Sequence, residues 1–369
     1  MYNLVFSDGT GQRGVRKDGS STNVHKLFEA ARRVGGQTCF YDAGVGANPE
    51  KSQGIGRWFS NLAAKATGLG ITRNIRSCYD FLVLAQQPGR PIGLFGFSRG
   101  AYTVRSVGGA LTLCGIPAAN QDGIDLTAEK NPVSIAKRAE LVKQAVKIYQ
   151  MEDSGDGPES RKQMAQRYRE KYRCEDSRLQ VIGVFDTVAA LGLPGLMNMF
   201  NPFKHMFHDQ FLSDKVPFGF QVLSIDENRK VFKPVLWEEV PPGSEQVIDQ
   251  QWFPGVHSDV GGGYYDPRLS DFSLMWMADQ CKRDDIAITF DFGPDSLHPD
   301  VLGAQHDERT GLGRFWKKGT REAFVRTVAV DDHQLCDPIE ARFKAVHLSY
   351  RPKALAKHPR VLPFYGSGA

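Results

Sequence analysis

No stretch of the chain approaches about 18 consecutive apolar residues, the length a membrane-spanning helix needs, so no helical span is expected. Behind Met1 the apolar segment YNLVF begins at once, without a basic leader, a long apolar core or a small-residue cleavage site. A signal peptide is therefore not expected. Synthesis in the cytoplasm is, and export by a signal-independent apparatus would leave no trace in such a sequence. Cysteine is sparse and scattered: Cys39, Cys78, Cys114, Cys174, Cys281 and Cys336 include no C-x-x-C pair, which argues for reduced thiols over a disulfide framework. An excess of one charge is also lacking. With 46 basic and 42 acidic side chains the formal charge is only +4, which gives no electrostatic reason to expect nucleic acid as a partner. The phosphate-cradling pattern G-x-x-x-x-G-K-[ST] is missing too, and apart from one G-x-G-x-x-G match discounted below no redox-cofactor motif occurs, so no cofactor is expected.

What remains is a chain of 369 residues, 41% hydrophobic, long enough to bury a large core and read here as one α/β unit over 1–369. From Met1 to Pro117 strand and helix signals alternate. YNLVF, QTCFY and PIGLFGF read as strands. NVHKLFEAARRV places Val24, Leu27, Phe28 and Ala31 on one face of a helix, and ITRNIRSCYDFLVLAQ does the same with Ile71, Ile75, Tyr79 and Leu82. Such alternation implies a mostly parallel sheet with right-handed crossovers and a site beyond the carboxyl ends of its strands. From about 118 to 178 polar, charged helices follow and read as an insertion over the sheet, a cap or lid after the third helix. The basic residues of 134–173 suit either anionic headgroups or a solvated face. Strand signals resume at LQVIGVFD and again at VIDQQWF, and beyond Asp284 the patterning is loose.

Residues 92–104, IGLFGFSRGAYTV, pose the chemical question. Gly96 and Gly100 bracket Ser98 at G-x-S-x-G spacing, between an apolar strand and a helix rich in small residues. In that context the pattern predicts a tight strand-to-helix turn that lifts a serine hydroxyl above the sheet. A serine hydroxyl is a poor nucleophile until a base lies within hydrogen-bond reach and a third group orients that base. Its carbonyl adduct also needs donors for the oxyanion, and the backbone N–H of Arg99, at the start of the helix, is one expected donor. The other should come from the loop after the first strand, SDGTGQ, where Gly9, Thr10 and Gly11 fall.

For the base, His257 in GVHSDVGGG follows directly on a strand, in what reads as a glycine-rich turn. His347 and His333 are weaker candidates. His205 and His208 have helical H-x-x-H spacing without a carboxylate framework, so no metal is expected there. For the acid, Asp186 ends the strand VIGVFD, where Thr187 could steady its carboxylate. Asp259, two residues after His257, is too close in sequence to reach behind the same imidazole and reads as a brace for the glycine turn or a bound cation. Asp8 lies in FSDGT, which imitates an aspartate-nucleophile phosphatase but carries Phe6 where the nucleophile should stand. Asp8 is therefore a loop brace or a supporting member of the site. GTGQRG, Gly9 to Gly14, matches G-x-G-x-x-G, yet no helix opens directly after it, so a dinucleotide site is discounted.

FSDGTGQ, GFSRGAYTVR, VFDTVAALG, SIDENR and WFPGVHSDVGGGY stand in this order over residues 1–280. Together they resemble a bacterial and fungal α/β-hydrolase family, long labelled a domain of unknown function, that includes the first class of type VI secretion lipase effectors. The resemblance implies a Ser98, Asp186, His257 triad, the same three residues that the reading of the motifs selects, and hydrolysis of acyl esters, phospholipids first among them. Leu193, Leu196, Met197, Met199, Phe200, Phe203, Met206, Phe207 and Phe211 follow Asp186 closely and suit either an apolar lid with peripheral membrane contact or the buried face of a helix. The expected function is thus a serine esterase or lipase acting on lipid. A non-lipid esterase, or an idle hydrolase fold used as a binding module, is the alternative.

Overall fold

The computed structural model describes residues 1–9, 14–16, 18–44, 68–151, 159–188, 211–310, 316–321 and 335–366. Its first strand, β1 (Asn3–Ser7), is buried at every position. Helix α1 (Asn23–Val34) starts where the Thr22 side chain accepts the His25 N–H, and it stops at Gly35, whose φ of 75° closes the last turn. Strand β2 (Thr38–Asp42), helix α2 (Gly68–Leu84), strand β3 (Ile92–Phe97) and helix α3 (Arg99–Cys114) follow, at the places the periodicity predicts. A two-residue hairpin of Asn120–Gln121 with Ile124–Asp125 then leads into α4 (Pro132–Tyr149) and α5 (Arg161–Lys171). The sheet resumes with β4 (Leu179–Phe185), β5 (Phe218–Ser224) and β6 (Val247–Phe253). The helical turn α6 (His257–Gly261), α7 (Arg268–Cys281) and the short α8 (Ile339–Lys344) complete the α-helices of the described residues.

The six strands form one sheet in the order β2-β1-β3-β4-β5-β6, every neighbouring pair parallel. It is an α/β-hydrolase-like fold. A parallel sheet covered on both faces needs strands that are apolar throughout, and the period of two then sends alternate residues into different cores. Leu4 and Phe6 enter one core with Leu27 of α1 and Met277 of α7, while Val5 enters the other with Ile75 of α2, Val107 of α3 and Leu141 of α4. Helices α4 and α5 thus pack on the helical layer of the second face. The loosely patterned C-terminal part contributes Ile339, Phe343, Tyr350 and Leu355 to the first core.

Two elements escape the sequence reading. In β5, FGFQVLS carries a glycine and a glutamine where a buried strand should be apolar. Gln221 is nonetheless fully buried, because it accepts from Arg105 at 3.1 Å and donates to the Val235 carbonyl at 3.0 Å. Both partners come from outside the sheet, so its suitability is invisible locally. Helix α7 lies in a mixed segment whose buried polar residues are likewise satisfied by tertiary contacts: the Ser273 hydroxyl donates to the Val260 carbonyl at 2.6 Å, and Asp271 pairs with Lys26 of α1 at 2.5 Å.

Close approach of α3 to the sheet explains the two motif glycines. A Cβ on Gly96 would lie 2.5 Å from the Gly100 carbonyl oxygen, and one on Gly100 would lie 2.0 Å from that of Ser7. Backbone cannot yield as a flexible side chain does. Gly100→Ala should therefore push the start of α3 off the end of β1, cost roughly 1–3 kcal/mol and lower both the melting temperature and activity. A variant that melts with the parent protein would show that the contact has slack.

Candidate active site

Parallel register aligns the strand ends. Phe97 pairs with Phe185, Phe185 with Val222, and Ser224 with Phe253, so the residues just past β3, β4, β5 and β6 share one edge. Backbone bonds tie the first exits together: Ser98 N–H donates to the Phe185 carbonyl at 3.0 Å and Asp186 N–H to that of Val222 at 2.7 Å. At this edge stand Ser98, Asp186, the acidic pair Asp226 and Glu227, and His257.

Ser98 adopts φ 58° and ψ −118°, a conformation that costs a residue with a side chain of order 1–3 kcal/mol. It is fully buried, and its hydroxyl has no hydrogen-bond partner among the described residues. Asp186 also has positive φ, at 41°. Its Oδ2 lies 2.6 Å from His257 Nδ1, and neither side chain is exposed to solvent. A carboxylate at that nitrogen fixes the tautomer with the proton on Nδ1, leaving Nε2 as the acceptor. Nε2 is buried and has no partner among the described residues. Burial holds the His257 pKa below the ordinary imidazole value, against the upward pull of Asp186 and Glu227, so the ring is neutral at neutral pH. Phe97 and Phe232 flank it, with ring centroids 4.6 and 5.0 Å away.

The Asp186 carboxylate is heavily bonded. Besides His257 it accepts the Ser224 N–H and hydroxyl, each at 3.1 Å, and a two-pronged contact from Arg321, Nη1 to Oδ1 at 3.1 Å and Nη2 to Oδ2 at 2.9 Å. Burial would raise its pKa, but Arg321 and His257 outweigh that and hold it at about 2. Thr187, the neighbour expected to steady this carboxylate, does not: its hydroxyl is buried without a partner among the described residues, and Ser224 from the adjacent strand takes its place.

Past β5, Glu227 and Arg229 form a fully buried ion pair, with Nε to Oε1 at 2.7 Å and Nη2 to Oε2 at 2.6 Å. Glu227 Oε2 also accepts the His257 backbone N–H at 3.3 Å, and the Arg229 guanidinium lies 3.8 Å from the Phe232 ring centroid. Asp226 accepts Gly255 N–H at 2.7 Å and Tyr350 OH at 3.0 Å, and burial pushes its pKa up to about 7. These residues hold the turn that carries His257. Their segment, SIDENR, is conspicuous as charge directly after a strand, but its pairing is not readable from sequence. Arg321 has no sequence signal at all.

His257 opens the helical turn α6 in place of the irregular glycine turn expected. Asp259 explains the difference: its Oδ2 accepts Val256 N–H at 3.0 Å and closes the turn. Asp259 Oδ1 meets His306 Nδ1 at 2.7 Å, so Asp259 braces this turn while Asp186 serves His257. Asp8 is a brace as well. It accepts Tyr41 OH and Gly9 N–H, each at 2.7 Å, and the Thr22 hydroxyl, while burial lifts its pKa to about 6. The bond from Gly9 removes that N–H from the expected oxyanion donors. Thr10 lies outside the described residues, as do His205, His208 and His333. Arg99, at the first helical position, has an N–H without an intrahelical acceptor. Its side chain is 5% exposed, Nε and Nη2 have no partner among the described residues, and burial lowers its pKa to about 9. No group of three or more metal-ligating side chains occurs among the described residues.

Residues 3–280 match the family described as T6SS, phospholipase effector Tle1-like, catalytic domain. The chain belongs to that family. It is also 24% identical over 233 residues to an uncharacterized protein of Saccharomyces cerevisiae, a match covering 60% of this chain and 30% of that protein. A crystal structure of an uncharacterized protein from Pseudomonas aeruginosa aligns with a TM-score of 0.38 and 15% identity, covering 78% of this chain and 46% of that one. The chain therefore spans less than half the length of either protein. The Tle1-like match includes all five sequence motifs and ends before Arg321. No helix among the described residues of this Tle1-like chain is long and apolar enough to cross a membrane. The apolar segment 193–211 lies outside the described residues except for Phe211, which is 67% exposed.

Proposed function

We propose that this chain is a serine hydrolase that cleaves acyl esters of phospholipids. Ser98 Oγ attacks the ester carbonyl while His257 Nε2 accepts its proton, and Asp186 keeps the imidazole in the tautomer that allows this. The oxyanion of the tetrahedral intermediate is met by the backbone N–H of Arg99, with a second donor from the loop after β1. Collapse breaks the ester C–O bond, and His257 returns the proton to the departing alcohol. Water, deprotonated by the same imidazole, then releases the fatty acid from Ser98.

The observation that carries this reading is the fully buried Asp186–His257 contact at 2.6 Å, with Nε2 unengaged among the described residues, on the strand edge where Ser98 is held at positive φ. A phospholipid substrate is supported by the family and by the buried Arg99 guanidinium, next in sequence to the nucleophile, whose Nε and Nη2 have no partner among the described residues. Such a cation favours an anionic substrate, which a phosphodiester is and a neutral ester is not.

The test is hydrolysis of phospholipid vesicles and of soluble short-chain esters by the parent protein and by Ser98→Ala. Fatty-acid release from vesicles that disappears in Ser98→Ala is the expected result. Serine-dependent turnover of soluble esters alone would make the chain a soluble esterase. Absence of turnover on either substrate would leave a hydrolase fold that serves as a binding module.

A further inference from the structure

The family match stops at residue 280, yet the most heavily bonded group at the strand edge depends on a side chain beyond it. Arg321 is 5% exposed, and both of its terminal nitrogens go to Asp186, one to each carboxylate oxygen. We propose that Arg321 is a positioning residue for catalysis: its planar fork orients the Asp186 carboxylate toward His257 Nδ1 and offsets part of the Asp186 charge, keeping His257 a neutral base. The proposal rests on the Ser98–His257–Asp186 reading above.

Two physical points support it. The first is directional. Ser224 gives each carboxylate oxygen one donor, but its hydroxyl sits on a rotatable side chain, whereas two parallel N–H···O contacts from a rigid guanidinium add a planar fork that fixes the carboxylate plane and aims Oδ2 at the imidazole. The second is electrostatic. Among the described residues, the charged groups facing His257 are Asp186 just past β4, and Glu227 and Arg229 from the segment after β5, with Glu308 behind Arg229 at 3.6 Å. Arg229 already pairs with Glu227. Without Arg321, Asp186 would face His257 with its full charge, and the two together would hold a proton more tightly. A base that stays protonated at neutral pH cannot take the proton of Ser98.

A purely structural anchor would make a different prediction, because it would change stability without moving the titration of the base. The decisive measurement is the pH dependence of kcat/KM on a soluble ester for the parent protein, Arg321→Gln and Arg321→Lys, with melting temperatures. In the parent protein activity is expected to rise with pH through the His257 titration, which burial holds below the ordinary imidazole value. For Arg321→Gln the expected result is kcat lower by about 10- to 100-fold, KM within about threefold, and that limb moved up by on the order of one pH unit. Arg321→Lys keeps the charge but loses the fork, so its limb should stay with the parent while kcat falls by about 10-fold.

An Arg321→Gln protein that folds and keeps the parent limb overturns the proposal, whatever its rate. If Arg321→Gln does not fold, Arg321→Lys decides alone: parental kcat overturns the proposal, and a drop in kcat at unchanged KM and melting temperature supports it. Ser98→Ala in the same assay separates the two levels. Activity surviving there sinks the triad reading itself, whereas activity lost there but untouched in both Arg321 variants sinks only the role given to Arg321.

Discussion

Ser98→Gly is expected to lose about 10⁴-fold or more in kcat and to melt above the parent protein. The two effects have one origin. Ser98 is held at φ 58°, a region that glycine enters without steric cost and other residues do not. Removing the side chain releases that strain, of order 1–3 kcal/mol, and glycine's greater loss of backbone entropy returns roughly 0.5–1 kcal/mol of it. The hydroxyl is buried without a partner among the described residues, so no hydrogen bond to any of them is sacrificed. A net gain of about 1 kcal/mol, a rise of a few degrees in thermal denaturation, is the expected balance. Ser98→Ala, which keeps the Cβ and the strain, should be equally inactive without the gain. A Ser98→Gly protein that melts below Ser98→Ala would show that the turn is not strained.

Glu227→Gln should be the most damaging change to stability at this edge. The substitution keeps the volume but leaves the Arg229 charge facing a neutral amide in a fully buried setting. Breaking such a pair from one side costs about 3–5 kcal/mol, because the remaining ion stays desolvated. A melting temperature lower by roughly 5–10 °C is expected, with reduced kcat, since the Glu227 carboxylate also accepts the His257 backbone N–H. The deficit should depend on pH. Burial alone would raise the Glu227 pKa, but Arg229 holds it below the ordinary carboxylate value. A carboxylate depressed in this way stabilises the fold above its unfolded pKa, and that contribution is lost as pH falls through the lower folded value. Denaturant titrations of the two proteins should therefore converge in acid. Equal stability at neutral pH would mean that Arg229 finds its compensation elsewhere, with Glu308 at 3.6 Å the first alternative.

The sequence by itself determined the strand-and-helix alternation from β1 to α3, the turn at Ser98, and the placement of Asp186 and His257 just past strands, because each has a local cause. A continuous apolar run, a 3.6-residue period and glycines at fixed offsets act within a dozen residues. Only the tertiary structure decided which strands are neighbours and hence which exits meet. It also seated Gln221 in a central strand, gave Asp186 to Ser224 instead of Thr187, engaged Gly9 N–H with Asp8, and paired Glu227 with Arg229. Arg321 marks the limit most clearly: 135 positions separate it from Asp186. An arginine in a weakly patterned segment resembles any solvated arginine until folding buries it against a carboxylate. A two-pronged contact between two such distant residues is set by where the backbone carries them, and no local pattern encodes that.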